Sequence, residues 1–437
     1  MYWGGGAWRQ FYIVSLHLKY ILVETEISKG IVIMICRLLK GGSGLFRLAS
    51  MALGLLIPAV SLAQETIKIG DLDSYNRYAA FSVPYRNGWQ LAVDEINAQG
   101  GVLGKKLEVV SRDDGGTPTD AIRAADELVS REGVSVLMGT FLSNISLAVA
   151  DYAKQKKVIF VPVTSATDAL SLQGNRYTFH FRGNVYMYTN MLVEEAVKSG
   201  IKRWAIVAPN YEFGHSAAEA FKRLLKAKVP DAVIVTEQYP TLGKLDGGAL
   251  VNAIEEAKPD GIFNVLFGAD VAQFARDGLS RGLFEKRTVL SIATGYPEYL
   301  NPLKDQVPVG WITHGYPWAE IADPAHKAFV AAYQKRYNEP PTAFSMMGYV
   351  AFMMMKDAIE KAGSTSPESL VKTMKGMQFN SIIGPLQIRA IDNKVSLGTW
   401  VGKLALKNGT GAFVDWTYRD GAKYMYSEDE VKAVRKE

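Results

Sequence analysis

The stretch from Gly139 to Asp168 constrains this chain more than any other. An apolar run, Val134 to Met138, stops at Gly139-Thr-Phe-Leu-Ser143-Asn144; a helical run follows. A second apolar run, Val158 to Val161, then stops at Pro162-Val-Thr164-Ser165. A short continuous apolar strand, a hydroxyl-rich turn and a helix, twice in succession, predict parallel strands with helical crossovers. The first N–H groups of a helix lack intrahelical partners and carry the positive end of its dipole. Two such ends side by side, each with a Ser or Thr hydroxyl, form a site for a carboxylate or another polar anion. Open parallel sheets bind ligands outside the carboxyl ends of their strands, where these turns fall. Taken alone, Ser143, Asn144 and Thr164 read as helix caps; the rest of the chain shifts that reading toward a site.

The first 63 residues stand apart from the fold. Arg37, Lys40 and Arg47 precede an apolar run from Met51 to Val60, and Ser61-Leu62-Ala63 supplies the small residues of a cleavage site. That is the pattern of a secretory signal peptide, with an apolar core too short to span a bilayer. Met34 is the expected start, with Met1 to Ile33 as upstream translated sequence. The remainder begins near Gln64. The segment removed holds six basic and two acidic residues, so the formal charge falls from +5 to +1. A nearly neutral chain argues against nucleic acid or an anionic membrane as partner. The only cysteine, Cys36, leaves with the leader, so disulfides, thiolate metal sites and a cysteine nucleophile are excluded. Export without disulfides fits a bacterial periplasm.

From Thr66 strands and helices alternate. Thr66 to Asp71 and Lys106 to Arg112 read as strands, and the loop after the first is dense in aromatics, among them Tyr75, Tyr78, Phe81 and Tyr85. The pattern restarts after Asn184, with strands at Arg203 to Ala208, Ala232 to Glu237, Gly261 to Phe267, Thr288 to Ile292 and Gly310 to Tyr316. This predicts a second α/β domain built like the first. Thr178 to Arg182 reads as a strand leading into the junction. The tail differs: Leu386 to Arg389 and Gly398 to Lys407 read as antiparallel strands.

Catalytic and cofactor motifs are not found. Gly100-Gly-Val-Leu-Gly104-Lys105-Lys106 follows a helix and lacks the hydroxyl residue of a phosphate loop. Gly214-His215-Ser216 lacks the second glycine of a nucleophile elbow, which weighs against an exported hydrolase. The four remaining histidines are not paired at metal-ligand spacing, and Asp113-Asp114 reads as a solvated turn. No cofactor, no metal and no enzymatic activity are expected.

Asp94-Glu-Ile-Asn97-Ala-Gln-Gly100-Gly101-Val-Leu-Gly104, followed by Asp113-Asp114, resembles the leucine/isoleucine/valine-binding proteins of ABC importers. The wider type I periplasmic solute-binding family is similar in the same way. The similarity continues through the hydroxyl turns, Tyr211–His215, Gln273–Leu283 and Thr342-Ala-Phe344. It implies an α/β clamshell of two Rossmann-like lobes joined by three hinge crossings, with ligand held between them. Lobe I would take residues 64–184 and 316–377, and lobe II residues 185–315 and 378–437. It implies a monomer that delivers its solute to ABC permease subunits; a ligand sensor on the same fold is the competing class.

Position by position, the resemblance gives Ser143 the ligand carboxylate and assigns the amino acid head to the turn of Val163 and Ser165, with Thr164 between them a further candidate from its hydroxyl. Phe81, Phe141, Leu142 and Phe344 match the apolar wall of the first lobe; Phe213, Phe267 and Gly268 match the second. Tyr75 and Tyr316 complete the aromatic set expected around the pocket, and Arg77 and Arg86 flank it. One departure matters. The glutamate that pairs with an amino acid's ammonium group is replaced within Ser291-Ile-Ala293-Thr294-Gly, with Thr294, or else Ala293, in its place. A buried ammonium without a carboxylate is strongly penalised. The expected ligand is therefore a small aromatic or otherwise hydrophobic carboxylic acid, of the benzoate or phenylpropenoate kind. A branched-chain amino acid is the alternative, with Asp270 as the substitute acid.

Overall fold

The computed structural model describes residues 66–435. The signal peptide, its cleavage site, the start at Met34 and Cys36 all lie outside the described residues.

The first part of the chain forms β1 (Thr66–Asp73), α1 (Ala79–Ala98), β2 (Lys106–Asp113), α2 (Pro118–Ser130), β3 (Val136–Gly139), α3 (Ser143–Lys156), β4 (Ile159–Pro162) and the short α4 (Ala169–Leu172). Its strands make a parallel sheet of order β2-β1-β3-β4. Every residue of β3 and β4 is buried, which is why they appear in the sequence as unbroken apolar runs. Thr117 starts α2 by accepting a hydrogen bond from Asp120 N–H, with Pro118 in the first turn.

The chain continues with α5 (Val185–Ser199), β5 (Arg203–Val207), α6 (Glu212–Lys228), β6 (Val233–Gln238), α7 (Gly247–Ala257), β7 (Gly261–Asn264), α8 (Gly268–Ser280), β8 (Thr288–Gly295), α9 (Pro297–Leu300) and β9 (Ile312–Gly315). It then forms α10 (Pro324–Tyr337), α11 (Ala343–Ala362), α12 (Pro367–Met374), β10 (Gln378–Ser381), β11 (Gly384–Arg389), β12 (Lys394–Val395), β13 (Thr399–Lys407), β14 (Thr410–Arg419) and α13 (Glu428–Val434). A second sheet has the order β14-β13-β9-β8-β7-β5-β6, parallel from β6 to β9 and antiparallel across β13 and β14.

Helix α11 returns to the first sheet and lies along α1. The two approach closely because Gly88 and Gly348 have no side chains. A Cβ on Gly88 would sit 1.9 Å from Ser345 O, and one on Gly348 would sit 2.3 Å from Tyr85 O. The chain thus passes between the two sheet layers near Arg182–Val185, between Gly315 and Pro324, and between Val395 and Thr399.

Two expectations change. Residues 178–182 form no continuous strand, only isolated bridges at Thr178 and His180. They still exchange backbone hydrogen bonds with β4 on one side (Phe179 N to Phe160 O, 2.9 Å) and with β12 on the other (Val395 N to His180 O, 3.0 Å). Residues 378–395, expected with the second lobe, form a three-stranded sheet of their own, of order β10-β11-β12, which meets residues 178–182 through the His180–Lys394 bridge. Their physical anchor is Lys394, fully buried, whose Nζ donates to the carbonyls of His180, Phe181 and Arg182. Burial pushes this ammonium down to about 7. Among the described residues no helix is long and apolar enough to cross a membrane.

Candidate functional site

Strand order reverses between β1 and β3 in the first sheet and between β5 and β7 in the second. Those are the switch points at which open α/β sheets form crevices. A cavity of about 20 Å³ lies there, lined from the first layer by Phe141, Ser143, Ala166 and Arg182. From the second come Tyr211, Phe213, Val265, Phe267, Ile292, Ala293 and Tyr299. That volume admits about one water, so a larger ligand needs the two layers to separate.

Aromatic rings fill the junction. Phe81 stacks on Phe141 at 4.9 Å, and Phe267 meets Phe141 edge-on at 5.9 Å and Phe213 at 6.0 Å. Phe344 packs on Phe81 and Phe141, and Tyr299 on Phe81. Each such pair contributes about 0.5–1.5 kcal/mol beyond area burial. Gly268, with φ +59°, opens α8 beneath the ring of Phe81.

The turn after β3 is held in an uncommon conformation. Gly139 has φ +117°, and a Cβ there would meet Leu72 O at 2.3 Å; Thr140 follows at φ +65°. This aims α3 so that Ser143, in its first turn, faces the cavity. Helix α3 has Leu142 at its N-cap and no side-chain cap, so Ser143 is not the capping residue. The turn after β4 behaves differently. No helix begins at Thr164; the next is the short α4 from Ala169. The second dipole end expected there is absent, because Thr164 Oγ1 donates to Thr140 O (3.0 Å) and ties the two turns together. Val163 N–H donates to Gly139 O at 2.8 Å. Ser165 Oγ is buried without a partner, while its carbonyl faces His180 Nε2 at 3.0 Å.

Other expected residues point elsewhere. Tyr75 donates to Asp71 at 2.6 Å, beneath the guanidinium of Arg86, inside the first layer. Its polar end is therefore tied to the core, and Arg86 with it. Tyr316 pairs with His326 Nε2 at 2.7 Å and packs on Trp400. Thr294 turns inward to bond Ser291, which itself accepts from Asn264. Ala293 takes the cavity position instead. The cause is local: the β8–β9 register shifts between Ser291 and Gly295, and Ala293 has φ +63°, so the side chains are re-aimed as at a bulge. Asp270 accepts from Gly243 N–H at 2.7 Å and does not line the cavity. Among the described residues no carboxylate lines it.

Sequence reasoning missed Arg182, Tyr211 and Tyr299. Arg182 is 4% exposed. Its Nη1 donates to Thr164 O at 2.7 Å, and its guanidinium lies 5.1 Å from the Phe344 ring and 5.5 Å from that of Tyr188. A charged residue closing the strand-like segment Thr178–Phe181 was the available signal.

Glu298, buried on α9, does not line the cavity. Its carboxylate accepts from Phe344 N–H (2.7 Å) and Ala343 N–H (3.3 Å) at the start of α11. The contact joins the second layer to the first. Burial pushes this carboxyl up, opposed by those same donors.

A family profile described as periplasmic binding protein matches residues 66–410. The Leu/Ile/Val-binding protein BraC3 of Rhizobium johnstonii is 28% identical over 315 residues, 70% of this chain and 82% of that protein. The leucine-, isoleucine-, valine-, threonine- and alanine-binding protein of Pseudomonas aeruginosa is 26% identical over 357 residues, 79% and 92% of the two chains. A solute binding protein of an ABC transporter from Rhodopseudomonas palustris BisB5, solved with 3,4-dihydroxybenzoic acid, superposes with a TM-score of 0.72. It is 25% identical, with 82% of this chain and 98% of that one covered.

Proposed function

This chain belongs to the periplasmic binding protein family, and on that footing we propose that it captures a small aromatic or hydrophobic carboxylic acid for an ABC importer. The observation that carries the ligand class is the lining of the cleft. Its walls are aromatic from both layers, its polar groups include Ser143 and Arg182, and it presents no carboxylate to an ammonium group. Pockets of this kind take their affinity from apolar contact and their orientation from a few polar anchors.

In this reading the lobes are residues 64–184 with 316–395, and 185–315 with 396–437. They close around the ligand as the chain flexes at its three passages between layers. The mature protein acts as a periplasmic monomer whose partners are the ligand and the permease subunits. The names of the amino-acid-binding relatives favour a branched-chain amino acid as the second reading.

Calorimetry with 4-hydroxybenzoate and with leucine separates the two. Heat of binding from the aromatic acid, with none from leucine, is the expected result. Tight leucine binding with no response to any aromatic acid would leave the transport role standing and remove this ligand class.

A further inference from the structure

Arg182 is a buried cation whose partners are all neutral. It donates through Nη1 to Thr164 O (2.7 Å) and through Nε toward Tyr188 Oη (3.4 Å). Its electrostatic neighbours are Tyr188, Tyr299 and Tyr296. No ion pair with a carboxylate accompanies it among the described residues, whereas the equally buried Asp392 has Arg389. A guanidinium does not lose its proton in a protein, so the charge is permanent, and an unpaired buried charge is costly. The group nevertheless lines the cavity with Ser143. Beside it, in the turn it grips, Ser165 Oγ is buried with no hydrogen-bond partner, one residue before cavity-lining Ala166.

We infer that Arg182 is the charge anchor of this site, and that the ligand's carboxylate is the counter-ion it lacks. This deepens the proposed function and rests on it for the ligand scaffold. Arg182 also positions, through Thr164 O, the turn that carries Ser165. A ligand bound this way must bring a full negative charge at one end, whatever its apolar body. A neutral isostere leaves the guanidinium buried and unpaired, so the site discriminates against it. The flanking rings of Tyr188 and Phe344 exclude water from the pair, which strengthens it.

The test compares each acid with its amide, so that shape is held and charge is removed. Titration calorimetry is run with 4-hydroxybenzoate against 4-hydroxybenzamide, and with leucine against leucinamide, on the wild-type mature chain and on Arg182→Gln and Arg182→Lys. Wild type should favour the acid over its amide by roughly 30-fold or more, the scale seen when a buried charge pair loses one partner. Arg182→Gln should bring that ratio within a few-fold of unity, and Arg182→Lys should keep part of it. A purely positioning role would lower affinity for acid and amide together and leave the ratio unchanged, and that result overturns the assignment. Wild-type protein that binds amide as tightly as acid overturns it without any variant, should Arg182→Gln fail to fold. If only the leucine pair binds, the aromatic-acid reading falls while the leucine ratio still decides Arg182. Binding of neither pair sinks both.

Discussion

Replacing Glu298 with Gln removes one charge from a contact between the two layers. The carboxylate accepts from Phe344 N–H at 2.7 Å and Ala343 N–H at 3.3 Å. It faces the first turn of α11, where the dipole favours a negative group. Glutamine keeps one acceptor oxygen and a similar shape, so packing is preserved and the charge-dependent part is lost. A hydrogen bond to a charged group is worth about 1.5–3 kcal/mol and a neutral one about 1 kcal/mol, with a dipole contribution of about 0.3–1 kcal/mol. The difference is about 1–2 kcal/mol in favour of opening. If closure is required for tight binding, apparent Kd rises by the same factor, roughly 5–30-fold. Calorimetry reads the affinity, and solution scattering reads the radius of gyration with and without ligand. Glu298→Gln should leave the ligand-free radius equal or larger and should need more ligand to contract. An unchanged Kd with an unchanged scattering titration would refute the argument, because it would mean that the contact does not differ between open and closed forms.

Two further outcomes follow from the same geometry. Ser143→Ala should weaken binding by about 1–3 kcal/mol in calorimetry, since a charge-assisted hydrogen bond goes and its partner stays buried; wild-type affinity in that variant would put the anion on another turn. Asp71 is buried, and burial pushes its carboxyl up to about 6, against donors from Ser111 and Tyr75. A raised folded-state value means that its contribution is fully present below the ordinary value of 3.8 and is lost as pH rises from there through about 6, by at most about 1.4 kcal/mol per pH unit. Thermal unfolding midpoints should therefore fall across that window, and Asp71→Asn should flatten the fall; an identical pH profile in the variant would contradict the assignment.

How much of this was legible in the sequence depends on whether a feature is local. Buried parallel strands such as Val136–Gly139 are contiguous apolar runs, so the alternation of strand and helix could be read directly. Phe141, Ser143, Phe213 and Phe267, which line the cavity, sit in the turns or first helical turns that follow strand ends, where ligand positions are expected in this architecture. What could not be read is direction. Whether Ala293 or Thr294 faces the cavity depends on a register shift and a left-handed residue; neither has a sequence signature. The bond from Tyr75 to buried Asp71 could not be read either, because an aromatic in a loop carries no sign of such a partner. The strand 410–419 was not anticipated, since Phe413 is its one buried residue and no buried run or alternation marks it. The tie between residues 378–395 and the segment 180–182 could not be read either, because a buried lysine reads, in sequence, as surface.

That lysine also bears on how the molecule can move. By gripping the carbonyls of His180, Phe181 and Arg182 from β12, Lys394 pins two of the three passages between layers to one another. Two pinned strands share a single spine, and the third passage, between Gly315 and Pro324, is left to follow. Opening then resembles a book turning about its binding, and sideways sliding of one cover over the other is disfavoured. A ligand of greater bulk would be met by a wider angle about the same line, so rim residues far from the spine travel furthest while Arg182, beside it, scarcely shifts. The charge anchor is thus built where the machine is stillest, and the aromatic jaws where it has the longest reach.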